Sequence, residues 1–358
     1  MSKIIIAIDS FKGCLTSIEA NQAAAAGVLA AMPDAEVMQI PVSDGGEGWL
    51  QAFEHIVSDR SELVDVNVKD PLMRPITAQY LIKDETAVIE IARASGLPLL
   101  ALEERNPMVA TSYGTGQLVV DAVQRGCKHV IVGLGGSATS DCGIGMLRAI
   151  IDSFAKRGTW DDIHELQDVR FTIATDVTNP LCGENGAASV FGPQKGATLE
   201  MVTALDARAR HFAEVSAKHF GYDRQDTPGA GAAGGLGYAF LQYLNAECCP
   251  GISLLLDAVS FDEQLKDAVL VITGEGSADR QTLMGKLPSG ILDRAKAFNI
   301  PVALIAGRIQ DSQQLLHAGF SCVECINPPE LPFEEAIKPE TAKKNIARTA
   351  ASVLHQLV

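Results

Sequence analysis

Apolar and polar positions along this chain follow two rhythms. At the start, Ile4-Ile5-Ile6-Ala7-Ile8 is a continuous apolar run, as in a strand buried on both faces. Thr16 or Ser17 then caps a helix running to about Ala31, which Pro33 closes. Val37–Ile40 reads as a second strand, and after the loop Pro41–Gly48 a helix runs to about Val57. This β-α-β-α order predicts a parallel sheet.

From about Leu63 to Ile91 the rhythm changes. Val64, Val66 and Val68 alternate with polar residues, and Ile76–Ile82 and Ala87–Ile91 follow across the turns Asp70-Pro71 and Lys83-Asp84. Period-two alternation between turns predicts antiparallel strands. A helix is expected at Thr115–Gln124, with strands at Val130–Leu134 and Phe171–Thr175. A glycine-rich piece, Pro228–Gly237, leads into a helix ending near Asn245. The opening rhythm then returns: strands at Ala268–Thr273 and Val302–Ala306, helices at Ser289–Phe298, Asp311–His317 and Ala342–Leu357.

A chain of 358 residues is long for a single hydrophobic core, so two domains are expected. The shared rhythm of the two chain ends predicts how they divide. Residues 1–62 and 265–358 form one doubly wound, mostly parallel α/β domain of Rossmann or flavodoxin type. Residues 63–264 form a mixed α/β domain inserted between them. With 32 glycines and only 5% aromatic residues, the composition suits an α/β protein with glycine turns at strand ends.

The net charge of −15 argues against nucleic acid and anionic membranes as partners. It leaves room for a small anionic substrate held by local lysines, backbone N–H groups or a metal ion. The short apolar run before Asp9 does not read as a signal peptide, and no run approaches the roughly 20 residues of a membrane span. A cytoplasmic location is expected. The eight scattered cysteines read as reduced thiols. Cys322-Val-Glu-Cys325 has C-x-x-C spacing but no second ligand pair, so a zinc site is not expected.

Five segments repeat one pattern, an apolar strand followed by glycine with acidic, hydroxyl or lysine side chains. They are Asp9–Gly13, Ser43–Gly48, Gly135–Asp141, Thr175–Asn179 and Thr273–Asp279. Ligands of doubly wound sheets bind at the carboxyl ends of strands, so five such loops exceed what turns require. Each residue alone has a plainer reading as a cap or a turn: Asp9-Ser10 and Asp141 as helix caps, Asp44 and Glu47 as first-turn residues, Asp176 and Asn179 as a turn before Pro180.

Two chemistries compete for the loop after the 130–134 strand. Gly133-Leu-Gly135-Gly-Ser-Ala138 fits the G-x-G-x-x-G/A fingerprint of a dinucleotide, which would make the chain an NAD-dependent oxidoreductase. That fingerprint needs an acidic residue about 20 positions on, at the end of the next strand; Asp152 has the spacing but lies in a helical pattern. The alternative is phosphoryl transfer. Small residues bring backbone N–H groups close to phosphate, hydroxyls and carboxylates supply oxygen ligands for Mg²⁺, and lysines neutralise the transferring group. Ser137, Thr139, Asp141, Asp176 and Glu275 are the oxygen donors, and Lys12, Lys195 and Lys286 the cations. Neither a Walker A motif nor the protein-kinase signature set is present.

Taken together, eight ordered segments resemble the bacterial glycerate kinases. They are Asp9–Gly13, Ser43–Gly48, Asn106–Gly116, Gly135–Thr139, Asp176–Leu181, Phe191–Ala197, Pro228–Gly235 and Thr273–Gly276 with Gly285-Lys286. The likeness runs from the N-terminus to about Ala306 and is weaker after Gly307. It implies a two-domain α/β enzyme with its site in the interdomain cleft, phosphorylating D-glycerate to 2-phosphoglycerate with ATP and Mg²⁺, as a monomer or homodimer. On this reading Asp176, or else Asp44, accepts the substrate hydroxyl proton, and Lys12 and Lys195 complete the catalytic set. Asp9, Ser10, Gly135, Gly136, Ser137, Thr139, Asn179, Gln194, Glu275 and Lys286 bind phosphate or substrate, and Asp141 and Asp279 bind metal. The chain departs from the family pattern at Cys14, Trp49, Ser140, Cys142 and Ser277, the last lacking an arginine for which Arg280 is a candidate replacement. A related hydroxy acid as substrate, or a non-catalytic sensor, remain alternatives.

Overall fold

The computed structural model describes residues 2–43, 48–56, 61–283 and 287–358. Its strands, in chain order, are β1 (Lys3–Ile8), β2 (Glu36–Gln39), β3 (Ser61–Lys69), β4 (Pro75–Lys83), β5 (Thr86–Glu90), β6 (His129–Gly133), β7 (Arg170–Ala174), β8 (Glu247–Cys249), β9 (Ala268–Ala278), β10 (Val302–Ile309) and β11 (Cys322–Cys325). The chain is α/β and divides into two compact units. One comprises Met1–Asp44, Gln51–Ile56 and Ile252–Val358; the other comprises Gly45–Leu50 and Val57–Gly251.

The first unit holds a five-stranded sheet ordered β11-β10-β9-β1-β2, with every pairing parallel. The apolar run of β1 explains why helices cover both faces. Ile4, Ile6 and Ile8 enter one core with the helices Ser17–Ala31 and Pro339–Leu357, while Ile5 and Ala7 enter another with Ile252, Ile291 and Leu315. Thr16 is the cap of the first helix: its side chain accepts from Glu19 N while Glu19 reaches back to the Thr16 N–H, a capping box. The helices Ser17–Ala31 and Pro339–Leu357 cross closely at Gly27, where an added Cβ would lie 2.0 Å from the Ala347 carbonyl oxygen.

This sheet reverses its winding between β1 and β9. The chain leaves β1 toward β2 and later returns on the other side of β1 to build β9, β10 and β11. Such a switch point leaves a crevice at the strands' carboxyl ends where doubly wound folds bind ligands. Asp9 and Glu275 lie there, and Asp9 N donates to Gly274 O at 2.9 Å.

The second unit holds a six-stranded mixed sheet in the order β3-β4-β5-β6-β7-β8. β3, β4 and β5 pair antiparallel, as their alternation predicts, and β5 through β8 run parallel. Its core draws on Ile89, Val130, Val132, Phe171 and Ile173 of the central strands and on the helices Tyr113–Gln124, Ile144–Phe154 and Ala232–Tyr243.

Two elements differ from the sequence expectation. The segment Thr273–Asp279, expected as a loop, is strand through Ala278, because β10 runs on to Ile309 beside it and supplies ladder partners, Glu275 opposite Ala306 and Ser277 opposite Arg308. The 22-residue helix Leu199–Phe220 was not expected; it buries only Leu205, Ala209, Ala213 and Ser216, a stripe too narrow and small to stand out. Its ends were legible, with Thr198 capping Met201 N and Gly221 in the left-handed conformation at φ 77°. Cys322 and Cys325 lie three apart on β11, so their side chains leave opposite faces and do not converge on one ion.

Candidate active site

The loop after β6 is held by backbone bonds on both sides. Leu134 N donates to Ala174 O at 3.0 Å, Leu97 N to Gly136 O at 2.9 Å, and Ala138 N to Ser95 O at 2.8 Å. Between these anchors Ser137, Thr139 and Ser140 are all buried. Thr139 Oγ1 and Ser140 Oγ have no hydrogen-bond partner among the described residues. Buried hydroxyls are rarely left so, because each has lost its water without a replacement. Two of them side by side leave hydrogen-bonding capacity in this loop that the described residues do not use.

Lys195 completes this loop from 58 residues away. It ends the one-turn helix Pro193–Lys195, opened by Pro193 and closed by Gly196 at φ 92°. Lys195 is 2% exposed, and its Nζ donates to Ser137 Oγ at 2.8 Å and to the Thr139 carbonyl at 2.7 Å. Burial pulls its ammonium down to about 7, against which the charge of Asp141 pulls upward. Two neutral acceptors do not balance a buried cation. A phosphate oxygen would, and one of the three ammonium donors remains for it.

Asp141 has a different task. Its Oδ2 accepts from Ser112 N at 2.8 Å, Ser112 Oγ at 2.9 Å, Thr111 Oγ1 at 3.4 Å and Gly145 N at 3.1 Å, and its Oδ1 accepts from Gly143 N at 3.1 Å. The carboxylate thus ties together the starts of the helices Tyr113–Gln124 and Ile144–Phe154, where negative charge is favoured. Few of its lone pairs are left for a metal ion.

The glycine-rich segment Pro228–Gly237 packs against the same loop. Ala233, Gly234 and Gly235 all have positive φ, and Cys142 N donates to Gly234 O at 3.1 Å. A Cβ on Gly234 would stand 2.0 Å from Thr139 O, so glycine is required by approach as well as by conformation. Cys142 also lies in the left-handed region, at φ 56°, and is buried.

Asp176 follows β7, the strand beside β6. Gly133 pairs with Ala174, so Asp176 and Gly135 each lie two residues past a matched pair. Both carboxylate oxygens of Asp176 are shielded from solvent. Asn179 donates from Nδ2 to Asn185 O at 2.8 Å, and Gln194 is exposed on the turn that carries Lys195. The structure therefore gathers Gly135, Gly136, Ser137, Thr139 and Lys195, and sets Asp176 on the adjoining strand end.

The first unit holds a separate polar cluster. Asp9 accepts from Ser10 N at 2.7 Å, and Lys12 is exposed at the tip of a turn in which Phe11 and Leu15 exchange backbone bonds of 2.9 Å. Glu275 accepts from Thr282 Oγ1 at 2.6 Å, and Asp279 accepts from Gln281 N at 2.7 Å. Arg308 stands opposite Ser277 on β10, a cation that the linear sequence did not single out. Asp44 and Lys286 lie outside the described residues. Among the described residues, no three His, Cys, Asp or Glu side chains stand together as a metal site. Of the two carboxylates expected to bind metal, Asp141 is committed to five donors, whereas the Asp279 carboxylate accepts from Gln281 N alone.

The dinucleotide reading loses its acidic partner. Asp152 lies inside the helix Ile144–Phe154, paired with Arg148 at 2.8 Å and accepting from Tyr113 Oη at 3.2 Å. Among the described residues no helix is long and apolar enough to cross a membrane.

Comparison with known proteins agrees with the geometry. The model of the glycerate kinase family matches residues 4–159 and 155–358, so the match extends well past Gly307. The chain is 41% identical to a glycerate kinase of Bacillus subtilis (strain 168), over 98% of this chain and 96% of that one. It is 40% identical to a glycerate 2-kinase of Escherichia coli (strain K12), over 98% of each. A crystal structure described as glycerate kinase 2 from Salmonella typhimurium LT2 superposes with a TM-score of 0.82 at 36% identity, covering 99% of this chain and 98% of that one. With a family match across the whole chain and relatives this similar over nearly their full length, the chain belongs to the glycerate kinase family.

Proposed function

We propose that this protein transfers the γ-phosphoryl group of ATP to D-glycerate, giving 2-phosphoglycerate and ADP. The observation that carries the reading is Lys195, a buried cation held between Ser137 Oγ and Thr139 O in a glycine loop at the end of β6. Phosphoryl transfer needs positioning and charge neutralisation more than covalent participation by the protein. In a water-poor loop, one lysine aimed at the transferring phosphate is worth far more than in solvent.

In this reading the loop Gly135–Ser140 cradles the phosphates, with the Thr139 and Ser140 hydroxyls and the third Lys195 proton directed at phosphate oxygens. Asp176 orients the hydroxyl of glycerate and accepts its proton as the O–P bond forms. Asn179 and Gln194 border this site. The switch-point cluster of Asp9, Ser10, Lys12 and Glu275 is a second ligand-binding locus. Mg²⁺ would enter with the nucleotide, held by its phosphates and by one or two carboxylates of the site.

The test is ADP release in a coupled assay with D-glycerate, L-glycerate and other small hydroxy acids, with the product identified by ³¹P NMR. Turnover of D-glycerate to the 2-phosphate, lost in Lys195→Met, supports the proposal. Absence of turnover with every acid overturns it.

A further inference from the structure

We propose that Arg105 receives the carboxylate of the substrate, an inference that rests on the glycerate reading above. That reading assigns Lys195 and two hydroxyls to the phosphates and Asp176 to the glycerate hydroxyl. It leaves the carboxylate without a cation. A carboxylate that leaves water for a partly buried site needs one.

Arg105 is built against the same loop, within the same unit as Lys195. Gly96 and Ser137 form an isolated antiparallel bridge, so the chain from Gly96 onward departs from the loop after β6. It passes through the short turn Leu102–Glu104, at whose end Arg105 N donates to Leu102 O at 3.4 Å. Arg105 then packs on the residue that follows Lys195. A Cβ on Gly196 would stand 2.5 Å from Arg105 O and 3.5 Å from Arg105 Cβ. The arginine stem therefore starts beside the Lys195–Gly196 turn, in space that a larger residue at 196 would invade. Asn106 fixes the backbone that follows: its Oδ1 accepts from Met108 N at 3.0 Å and its carbonyl from Ala110 N at 3.1 Å.

The guanidinium is not used within the protein. Its Nε is shut off from solvent and has no hydrogen-bond partner among the described residues, while its terminal nitrogens are not enclosed. The adjacent acid does not serve it: Glu104 pairs with Arg74 at 2.7 Å and accepts from Ala101 N at 3.1 Å. Arg74 is bonded to two carboxylates, Asp70 and Glu104, whereas Arg105 has no ion pair among the described residues. An arginine does not shed its proton, so a desolvated Nε without an acceptor carries a cost that a bound anion removes. A carboxylate accepts from Nε and one terminal nitrogen as a forked pair, and so satisfies the enclosed donor and an accessible one together.

The test is steady-state kinetics of the full-length protein, with D-glycerate and Mg-ATP varied in turn, for wild type, Arg105→Gln and Arg105→Lys. In Arg105→Gln the KM for D-glycerate should rise at least about tenfold, the scale of one lost charge-assisted hydrogen bond, while the KM for ATP stays within twofold. Arg105→Lys keeps the charge but not the fork, so its glycerate KM should fall between the two; it carries the test if the neutral variant does not fold. Guanidinium added to Arg105→Ala should restore part of the glycerate affinity, which a purely structural role would not allow. The inference is overturned by a glycerate KM within twofold of wild type in the folded variants. It is equally overturned by an ATP KM that rises as much as the glycerate KM, which would assign Arg105 to a phosphate. When wild type turns over D-glycerate, these outcomes remove this inference alone. When wild type turns over no hydroxy acid, the reading beneath it fails, and this inference with it.

Discussion

Lys195 Nζ lies 2.8 Å from Ser137 Oγ, a hydrogen bond between residues 58 apart that closes a glycine loop around a buried ammonium. This bond turns a flexible-looking sequence into a preorganised cation site. Replacing Lys195 with methionine keeps the stem and removes the charge. Turnover should fall by roughly 10²–10³ or more, the scale for losing a single transition-state donor. Circular dichroism should be unchanged. Turnover within a factor of a few of wild type would remove Lys195 from the mechanism.

The same residue sets a pH dependence of stability. The folded-state ammonium titrates near 7, while an unfolded lysine titrates near 10.5. Between those values the unfolded chain binds more protons than the folded one, so the contribution of this group to stability rises with pH across the window. Its cost is greatest below about pH 7 and vanishes above about pH 10.5. Denaturant titrations of wild type and Lys195→Met should diverge as pH falls from 10 to 7, with wild type losing ground. Parallel curves would show that Lys195 is not desolvated.

Nucleotide binding should reverse that shift. A phosphate beside Nζ favours the ammonium, so between pH 7 and 9 binding of ATP should take up a fraction of a proton approaching one. Calorimetry in buffers of different ionisation enthalpy measures this directly, and the uptake should disappear in Lys195→Met. Equal heats in all buffers would place the nucleotide away from this loop.

Asp141 and Asp176 should separate by phenotype. Asp141 binds five donors across two helix starts, so Asp141→Ala should cost about 3 kcal/mol or more and lower Tm by several degrees. Asp176→Asn should leave Tm near wild type and reduce turnover by orders of magnitude. Thermal melts and kcat for the two variants decide the matter, and the reverse pattern would exchange their roles.

Gly234→Ala should be severe despite adding a single methyl group. The new Cβ would meet Thr139 O at 2.0 Å from a backbone with φ of 70°. Loss should exceed the ~1 kcal/mol typical of alanine placed at positive φ, and the displaced Thr139 should weaken ATP binding as well. A stable variant with unchanged ATP affinity would show that the glycine segment does not support the loop.

Much was legible before any coordinates. Continuous apolar runs marked β1 and β9, alternation marked β3, and Thr16 with Glu19 spelled a helix start, because each depends on contacts within a few residues. The ordered loops also pointed to the family, since each brings small residues and oxygen donors to the end of a strand. What the linear chain did not determine depends on partners far away in sequence. Glu275 and Ser277 look like loop residues until β10 supplies their ladder. Asp141 looks like a metal ligand until Ser112 and Gly145 claim its carboxylate. Lys195 is one of three candidate cations in the sequence, and what sets it apart from Lys12 is that the fold buries it against Ser137 and Thr139. Residue types and local spacing set which elements form; burial and long-range hydrogen bonds set which of their side chains remain free to act, and those arise only in the packed chain.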